Sequence, residues 1–423
     1  MNTSAEMSLN QARAGLAAIA GPAHVHLLGE TIAVVPADAQ QLAGILRLAN
    51  ANGMSVLPTG KGTKLGWGNL FTPHLRLSLE RINRLRDHSW HDMTCTVEAG
   101  CPWAAMQEEL GRHGQMVALD PLWPGQATVG GIVAANDSGA MRLKYGGLRD
   151  LIIGMTVVLA DGSIAKTGGK VVKNVAGYDL HKLMTGSFGT LGVIAEVNFR
   201  LHPIERHART FTVAAADPAL LAAPLRALLD TQLVPSSVQL RAGPQKCDLD
   251  IRLASRPECL DEHAARLREI FAPLNVAELA VVESDHSVWQ ARQKLFSAQA
   301  SIVLKVSLLP TDICSVCSEL QQWSAAERVE FTVVAQATGL MTIAFQSEPF
   351  ASILMVDRLR MRMRRSPGSV AALELPEAIR DKFIRDRIDV WGSNSNALPL
   401  MREIKRRFDP NRILNPGRFV GNI

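Results

Sequence analysis

Long apolar runs are scarce in this sequence. The longest strongly apolar one, Leu151 to Ala160, falls far short of the roughly 20 residues that cross a bilayer core as a helix. Met1 to Pro22 holds a single arginine, Arg13, and only a short apolar patch from Gly15 to Ala20. It therefore lacks the charged start and long apolar core of a secretory signal. A soluble, cytoplasmic chain is expected, with any contact to the inner face of the membrane made through partners. Cysteine is sparse as well. Cys95, Cys101, Cys247, Cys259, Cys314 and Cys317 in a chain of 423 residues do not make a disulfide framework. Cys314 and Cys317 form a CxxC, but no second one exists to complete a zinc or iron–sulfur ligand set. They read as two small apolar residues on one helix face, and no metal is expected.

An excess of charge of one sign is nearly absent until the end of the chain. Of the net +5, the stretch from Ala351 to Ile423 carries 15 Lys and Arg against 8 Asp and Glu, so the preceding residues are close to neutral. Arg358, Arg360, Arg362, Arg364 and Arg365 are the densest cluster. Ile353, Val356, Leu359 and Met363 recur at near-helical spacing through it, which predicts an amphipathic helix with a basic face. Without aromatic platforms or a basic groove this does not point to nucleic acid. A solvated face and a docking face for an acidic partner protein both remain open.

The apolar fraction of 47% supports ordinary buried cores in a chain long enough for two or three domains. Residues 1–26 read as a loosely held leader helix. Ile32 to Val35 is strand-like, and Asp38 with Gln41 sets a helix start whose apolar face is Leu42, Ile45, Leu46 and Ala49, ending at Gly53. The strand Ser55 to Leu57 runs into Pro58-Thr59-Gly60-Lys61-Gly62-Thr63-Lys64. Strands follow at Leu75 to Leu79 and Thr94 to Glu98, and a helix at Trp103 to Gly111. Residues 125–192 hold 14 of the 32 glycines, as backbone that must turn through positive φ or approach a ligand requires. Beyond about residue 205 glycine thins and strands alternate with helices, which marks a second domain. Leu398 to Phe408 reads as a basic helix.

Gly60-Lys61-Gly62 follows a strand, but the third glycine of a Rossmann fingerprint falls one residue out of register, at Gly66. Neither Gly60-Lys61 nor Gly169-Lys170 has the glycine that a Walker A loop needs five residues earlier. The remaining solution is a nest of consecutive amides around one anion. Pro58 to Lys64 suits a pyrophosphate, with Thr59 and Thr63 as hydroxyl donors. A second small-residue loop runs from Thr128 to Gly139, through Val129-Gly130-Gly131 and Ala134-Ala135-Asn136-Asp137-Ser138. A third block is Lys173 to Leu180, and a fourth is Gly186-Ser187-Phe188-Gly189-Thr190-Leu191-Gly192-Val193-Ile194. The only tyrosines, Tyr145 and Tyr178, lie within this region.

The order of these four blocks, with Tyr145-Gly146-Gly147-Leu148-Arg149-Asp150 between the second and third, resembles the FAD domain of the p-cresol methylhydroxylase (PCMH)/vanillyl-alcohol oxidase superfamily from about His26 to Pro203. The unbroken KNVAGYDL, GSFGTLGV, Asp389-Val390-Trp391-Gly392 and the ending FDPNRILNPGRF narrow the resemblance to a family of FAD-binding subunits of bacterial glycolate oxidase. The resemblance implies an α+β fold: a two-subdomain PCMH-type FAD-binding domain over 27–205 and a smaller α+β domain over 206–390. A leader (1–26) would precede these, and a tail (391–423) would return to the FAD domain. It also implies that Pro58, Thr59, Gly60, Lys61, Gly62, Thr63 and Lys64 hold the pyrophosphate. Thr128, Gly130, Gly131, Ala134, Asn136, Ser138 and Gly139 would lie along the flavin and its ribityl-phosphate arm, and the helix after Gly131 would lend its N-terminal partial charge. Gly189, Gly192, Val193 and Ile194 would line the adenine side. Pro58 to Gly68 has no histidine, so non-covalent FAD is expected from that side.

Oxidation of a 2-hydroxy acid needs a carboxylate anchor, a base and access to the flavin ring. Catalytic relatives carry an H-x-G-D-G-N-x-H metal motif. Here the corresponding stretch is Ala335-Gln336-Ala337-Thr338-Gly339-Leu340-Met341-Thr342, and His207, His263 and His286 are scattered. Phe188 replaces the relatives' glutamate in GSEGTLG. No catalytic residue is assigned. In one reading the chain is the FAD subunit of a 2-hydroxy-acid (glycolate) dehydrogenase complex with a sister flavin subunit and an iron–sulfur subunit. In the other it is a stand-alone FAD-dependent oxidase of an alcohol or sugar.

Overall fold

The computed structural model describes residues 8–170, 177–274, 279–282, 287–296, 302–377, 379–380, 389–392 and 396–423. The third glycine block therefore lies outside the described residues over Lys173 to Ala176, as does His286. The chain forms two compact units: one is Met1–Asp137, Gly147–Ile204 and Asn394–Ile423, the other Ser138–Gly146 and Glu205–Ser393.

The first unit has two principal sheets. In one, β1 (Val25–Leu28), β2 (Thr31–Val34), β3 (Val56–Thr59) and β4 (Leu75–Ser78) lie in the order β1-β2-β4-β3, with β4 parallel to both β2 and β3. The other is antiparallel and is built from β5 (Leu85–Ser89), β6 (Thr94–Glu98), β8 (Ile152–Val158), β9 (Ile164–Gly168) and β10 (Val193–Arg200), in the order β5-β6-β10-β8-β9. The short strands β7 (Gln115–Met116) and β11 (His202–Pro203) pair separately. The apolar run at 151–160 holds a strand inside the sheet, mostly buried over Ile152–Val158.

Helices α1 (Leu9–Ala20) and α2 (Ala39–Ala51) pack on this unit. Ser8 and Gln11 form a capping box on α1. Asp38 caps α2 by accepting from the amides of Gln40 and Gln41 at 2.9 and 2.8 Å. The leader is not loosely held. Ala12, Leu16 and Ala20 are buried in the core, because glycines let the two helices close on each other. A Cβ on Gly15 would sit 2.7 Å from Leu48 Cδ1, and one on Gly44 3.2 Å from Ile19 Cγ2. Helix α3 spans Trp103–Gly111 and α4 spans Val129–Ala135. The second loop's helix therefore begins ahead of Gly131, at Val129, with Thr128 as its N-cap.

The second unit is one antiparallel eight-stranded sheet. Its strands are β12 (Ala208–Ala215), β13 (Ser237–Ala242), β14 (Cys247–Ala254), β15 (Leu279–Val282), β16 (Ile302–Ser307), β17 (Phe331–Gln336), β18 (Leu340–Phe345) and β19 (Ser369–Glu374). Their order is β15-β12-β14-β13-β17-β18-β16-β19. Strict alternation puts Phe211, Val213, Leu249, Ile251, Val238 and Leu240 into an apolar core with the helices Ile313–Glu327 and Pro349–Met363. Cys314 and Cys317 are buried on the first of these helices, and burial pushes the Cys314 thiol up to about 11. The opposite face carries a buried polar row. The Asp250 carboxylate accepts from Thr212 Oγ1 at 3.0 Å, Gln239 Nε2 at 3.0 Å and Arg241 Nε at 2.6 Å.

Candidate functional site

Strand β3 delivers Pro58 and Thr59 to the rim of a cleft in the first unit, with about 770 Å³ of empty space when the part open to solvent is included. From there the chain turns through Gly60 to Lys64, with Gly62 at φ +80°. The amides of Gly60, Lys61, Gly62 and Thr63 make no hydrogen bond among the described residues, and all four residues line the cleft. Successive unsatisfied amides on a concave wall are the anion cradle that a nest provides. Thr59 differs from expectation, because its hydroxyl donates to the Leu77 carbonyl at 3.3 Å and so ties β3 to β4.

Thr128 and the helix α4 form the facing wall. Gly60 touches it so closely that an added Cβ would fall 2.1 Å from Thr128 Oγ1. Gly130 in turn presses on Ala99, where a Cβ would come within 2.7 Å of that residue's own Cβ. The amides here are already used: Val129 donates to the Cys101 carbonyl at 3.0 Å, Gly130 to Ala99 at 2.7 Å and Gly131 to Thr128 Oγ1 at 3.4 Å. This wall therefore offers small apolar surface, and the partial charge expected of its helix is spent internally. Gly130, Gly131 and Ala134 line the cleft, but Asn136, Ser138 and Gly139 do not. Asn136 ends α4 in the left-handed region at φ +47°, and Ser138 and Gly139 belong to the second unit.

The fourth block closes the cleft. The amides of Gly186 and Phe188 donate to the carbonyls of Val133 and Ala134 at 3.0 and 2.9 Å, satisfying the open end of α4. Gly189, Gly192, Val193 and Ile194 line the cleft with Phe188, whose ring stacks on Phe419 at 5.5 Å. Of the third block, the described part places Tyr178 at 89% exposed, away from the cleft lining.

Leu65, Leu79, Ala99, Ala135, Phe188, Asn415 and Arg418 also line the cleft. Sequence reasoning did not assign them. The first four are ordinary apolar residues with no mark of their own, and Phe188 stands out only as the replacement of a glutamate. The last two lie far beyond the glycine blocks along the chain.

The electrostatics favour an anion. Among the described residues lining the cleft are Lys61, Lys64 and Arg418, and no Asp or Glu. Lys64 is buried against Asp137 at 3.2 Å and sits 5.5 and 5.2 Å from the ring centres of Trp67 and Trp123, so much of its charge is answered locally. Arg418 donates to the carbonyls of Lys64, Leu65 and Trp67 at 3.2, 2.9 and 3.3 Å. These bonds pin the far side of the glycine loop, and burial lowers the Arg418 pKa to about 10. Among the described residues the lining contains no His, Cys or Tyr that could bond a flavin covalently. An amide cradle, glycines that hold the walls together and a cationic lining fit the pyrophosphate of a dinucleotide.

The described residues of the second unit carry a set of ion pairs. Among the described residues no group of three or more His, Cys, Asp or Glu is placed to hold one. Ala335 to Thr342 is a hairpin between β17 and β18. His263 is half-buried on the helix Pro257–Phe271. Lys144, Tyr145 and Arg252 all donate to the Glu205 carboxylate, the first two at 2.9 and 2.7 Å. Burial alone would raise the pKa of Glu205, but these three donors outweigh it and hold the carboxyl below its ordinary range. The basic helix is also largely committed, with Arg358 on Glu327, Arg362 on Glu319 and Arg360 on the Asp389 carbonyl. Arg364 and Arg365 remain exposed. Among the described residues no helix is long and apolar enough to cross a membrane.

Comparison with known proteins agrees with this geometry. Residues 31–168 match the FAD binding domain family, and residues 392–419 match the C-terminal domain of FAD linked oxidases. Fold neighbours include 4-ethylphenol oxidase from Gulosibacter chungangensis (TM-score 0.74, 15% identity, 99% of this chain and 98% of that one). Another is p-cresol methylhydroxylase (TM-score 0.72, 16% identity, 98% of this chain and 97% of that one). The chain is thus an α+β FAD-linked oxidoreductase with a PCMH-type FAD-binding fold, and its cofactor is FAD. Among curated relatives, it is 25% identical to a mitochondrial D-lactate dehydrogenase (cytochrome) of Arabidopsis thaliana, over 92% of this chain and 73% of that one. It is 31% identical to glycolate oxidase subunit GlcD of Bacillus subtilis, over 50% of this chain and 45% of that one. It is also 35% identical to a D-2-hydroxyglutarate dehydrogenase of Xanthomonas citri, over 40% of this chain and 36% of that one.

Proposed function

We propose that the chain is the FAD-carrying subunit of a 2-hydroxy-acid dehydrogenase complex, with glycolate as the first substrate to test and an FAD-binding subunit of bacterial glycolate oxidase as its counterpart. The observation that carries the cofactor half is the cleft with four unspent amides between Gly60 and Thr63. In this reading those amides and Arg418 hold the pyrophosphate. Thr128, Gly130, Gly131 and Ala134 give the flavin arm a wall without bulk, and Gly189 to Ile194 flank the adenine side. When bound, FAD would supply a two-electron oxidation, accepting a hydride from a carbon bearing a hydroxyl while the hydroxyl gives up its proton. The substrate half is supported by the relatives, whose names specify lactate, glycolate and 2-hydroxyglutarate. All three are 2-hydroxy acids.

The test is a pair of measurements on the purified chain. Acid precipitation should leave all the flavin in the supernatant as FAD. FMN, or colour retained in the pellet, contradicts non-covalent FAD. Anaerobic titration should then bleach the flavin with glycolate or D-lactate, in the presence of copurifying subunits, and leave it oxidised with sugars or simple alcohols. Bleaching by a sugar alone overturns the 2-hydroxy-acid assignment in favour of a stand-alone oxidase.

A further inference from the structure

The C-terminal tail enters the cleft as a fixed element. Lys405 Nζ donates to the carbonyls of Thr190 at 2.7 Å and Leu414 at 2.8 Å, and pairs with Asp409 Oδ2 at 2.6 Å. Asp409 accepts from the amides of Ile413 and Leu414 at 3.0 and 2.8 Å. The tail then runs beside β3, with Val56 donating to the Ile413 carbonyl at 2.7 Å and Asn415 to the Val56 carbonyl at 3.0 Å. Asn415 turns in the left-handed region at φ +45°, which asparagine tolerates better than most residues.

Held in this way, Asn415 is 2% exposed and lines the cleft. Its Nδ2 donates to the Phe188 carbonyl at 2.5 Å. That bond fixes the orientation of the amide, because a flipped side chain would set oxygen against oxygen. The remaining atom, Oδ1, has no hydrogen-bond partner among the described residues. A buried acceptor without a donor is costly, and such groups are rare unless a ligand or water supplies the partner. Gly189 keeps the approach open: a Cβ there would fall 3.0 Å from Asn415 Nδ2 and 3.7 Å from Pro58 Cγ.

We infer that Asn415 Oδ1 accepts a hydrogen bond from an N–H or O–H group of bound FAD, so that the tail is a recognition element of the cofactor site and not only a structural strap. The inference rests on the cofactor reading of the cleft given above. FAD presents such donors on its adenosine half and on its flavin and ribityl half, and an amide oxygen takes either. Binding to the full-length apoprotein separates the two sources. Asn415→Gly removes the amide while keeping a residue at ease at positive φ, and Asn415→Ala serves as a second variant. Flavin fluorescence should show FAD held on the order of tenfold more weakly in both. Calorimetry with ADP and with FMN should show that loss for one half only, which names the half that Asn415 reads. The inference is overturned if FAD affinity is unchanged, or if ADP and FMN weaken equally along with a lowered melting temperature of the apoprotein, the mark of a loosened tail. A wild-type chain that binds no FAD overturns the reading of the cleft and this assignment with it.

Discussion

Gly60 and Gly62 show two different reasons for glycine within three residues. Gly60 is needed for space, with Thr128 Oγ1 2.1 Å from the position of a Cβ, whereas Gly62 is needed for its φ of +80°. Gly62→Val should strain the loop by about 1–3 kcal/mol. It should raise the FAD dissociation constant roughly 10- to 100-fold, because the amides no longer converge. Gly60→Ala should do the same by pushing Thr128 and α4 outward. Fluorescence titration checks both, and full flavin affinity in Gly62→Val would remove the loop from the pyrophosphate site. These residues were legible in the sequence because glycine is rare enough for its clustering to carry information. Phe188, Asn415 and Arg418 were not, because their contribution is set by where the fold carries them. Phe188 reads as a lost glutamate until its ring is seen against Phe419, 5.5 Å away.

Two elements depend on buried charge. In the tail, Lys405 satisfies two carbonyls and Asp409 at once. Lys405→Met should leave Asp409 buried without its cation and cost about 3–5 kcal/mol, visible as a lower melting temperature and weaker FAD retention together. An unchanged melting temperature would show that the strap carries no stability. In the second unit, Glu205 joins Lys144 and Tyr145 to Arg252 on β14. Its carboxyl is held below the ordinary value of 4.5, so its stabilisation is complete above that pH and drains away as pH falls through the lowered value. Glu205→Gln should therefore lose about 1–3 kcal/mol near neutrality and lose less as the pH drops below about 4.5. Parallel acid-unfolding curves for wild type and variant would contradict this. A local element such as α2 was legible because its cap and its periodicity sit in adjacent residues. The burial of the leader was not, since it depends on Gly15 meeting Leu48 across two helices. Nor could periodicity show that the amides opening α4 bond to Cys101 and Ala99.

For the molecule as a whole, the decisive question is whether the chain turns over substrate unaided. The second unit's Ala335 to Thr342 hairpin offers none of the His and Asp side chains of the relatives' H-x-G-D-G-N-x-H motif. Removing the hydroxyl proton by a positioned base is typically worth about 10²–10⁴-fold, so under the proposed reading the chain alone should oxidise glycolate or D-lactate far below a useful rate. If the proposed complex is correct, the purified chain should reduce an artificial dye with either acid only when a flavin subunit and an iron–sulfur subunit that copurify with it are added back. The exposed end of the basic helix is the natural docking surface to probe. Arg358 and Arg362 are unsuitable, since Glu327 and Glu319 already hold them and reversal would break the unit internally. Arg364 and Arg365 are exposed, and changing both to glutamate should weaken the partner-dependent rate while leaving FAD content and melting temperature unchanged. If their reversal leaves the rate intact, this face is merely solvated. Rapid dye reduction by the chain alone would sink the complex and make the protein a self-sufficient dehydrogenase, whose base would then have to be sought outside the Ala335 to Thr342 hairpin.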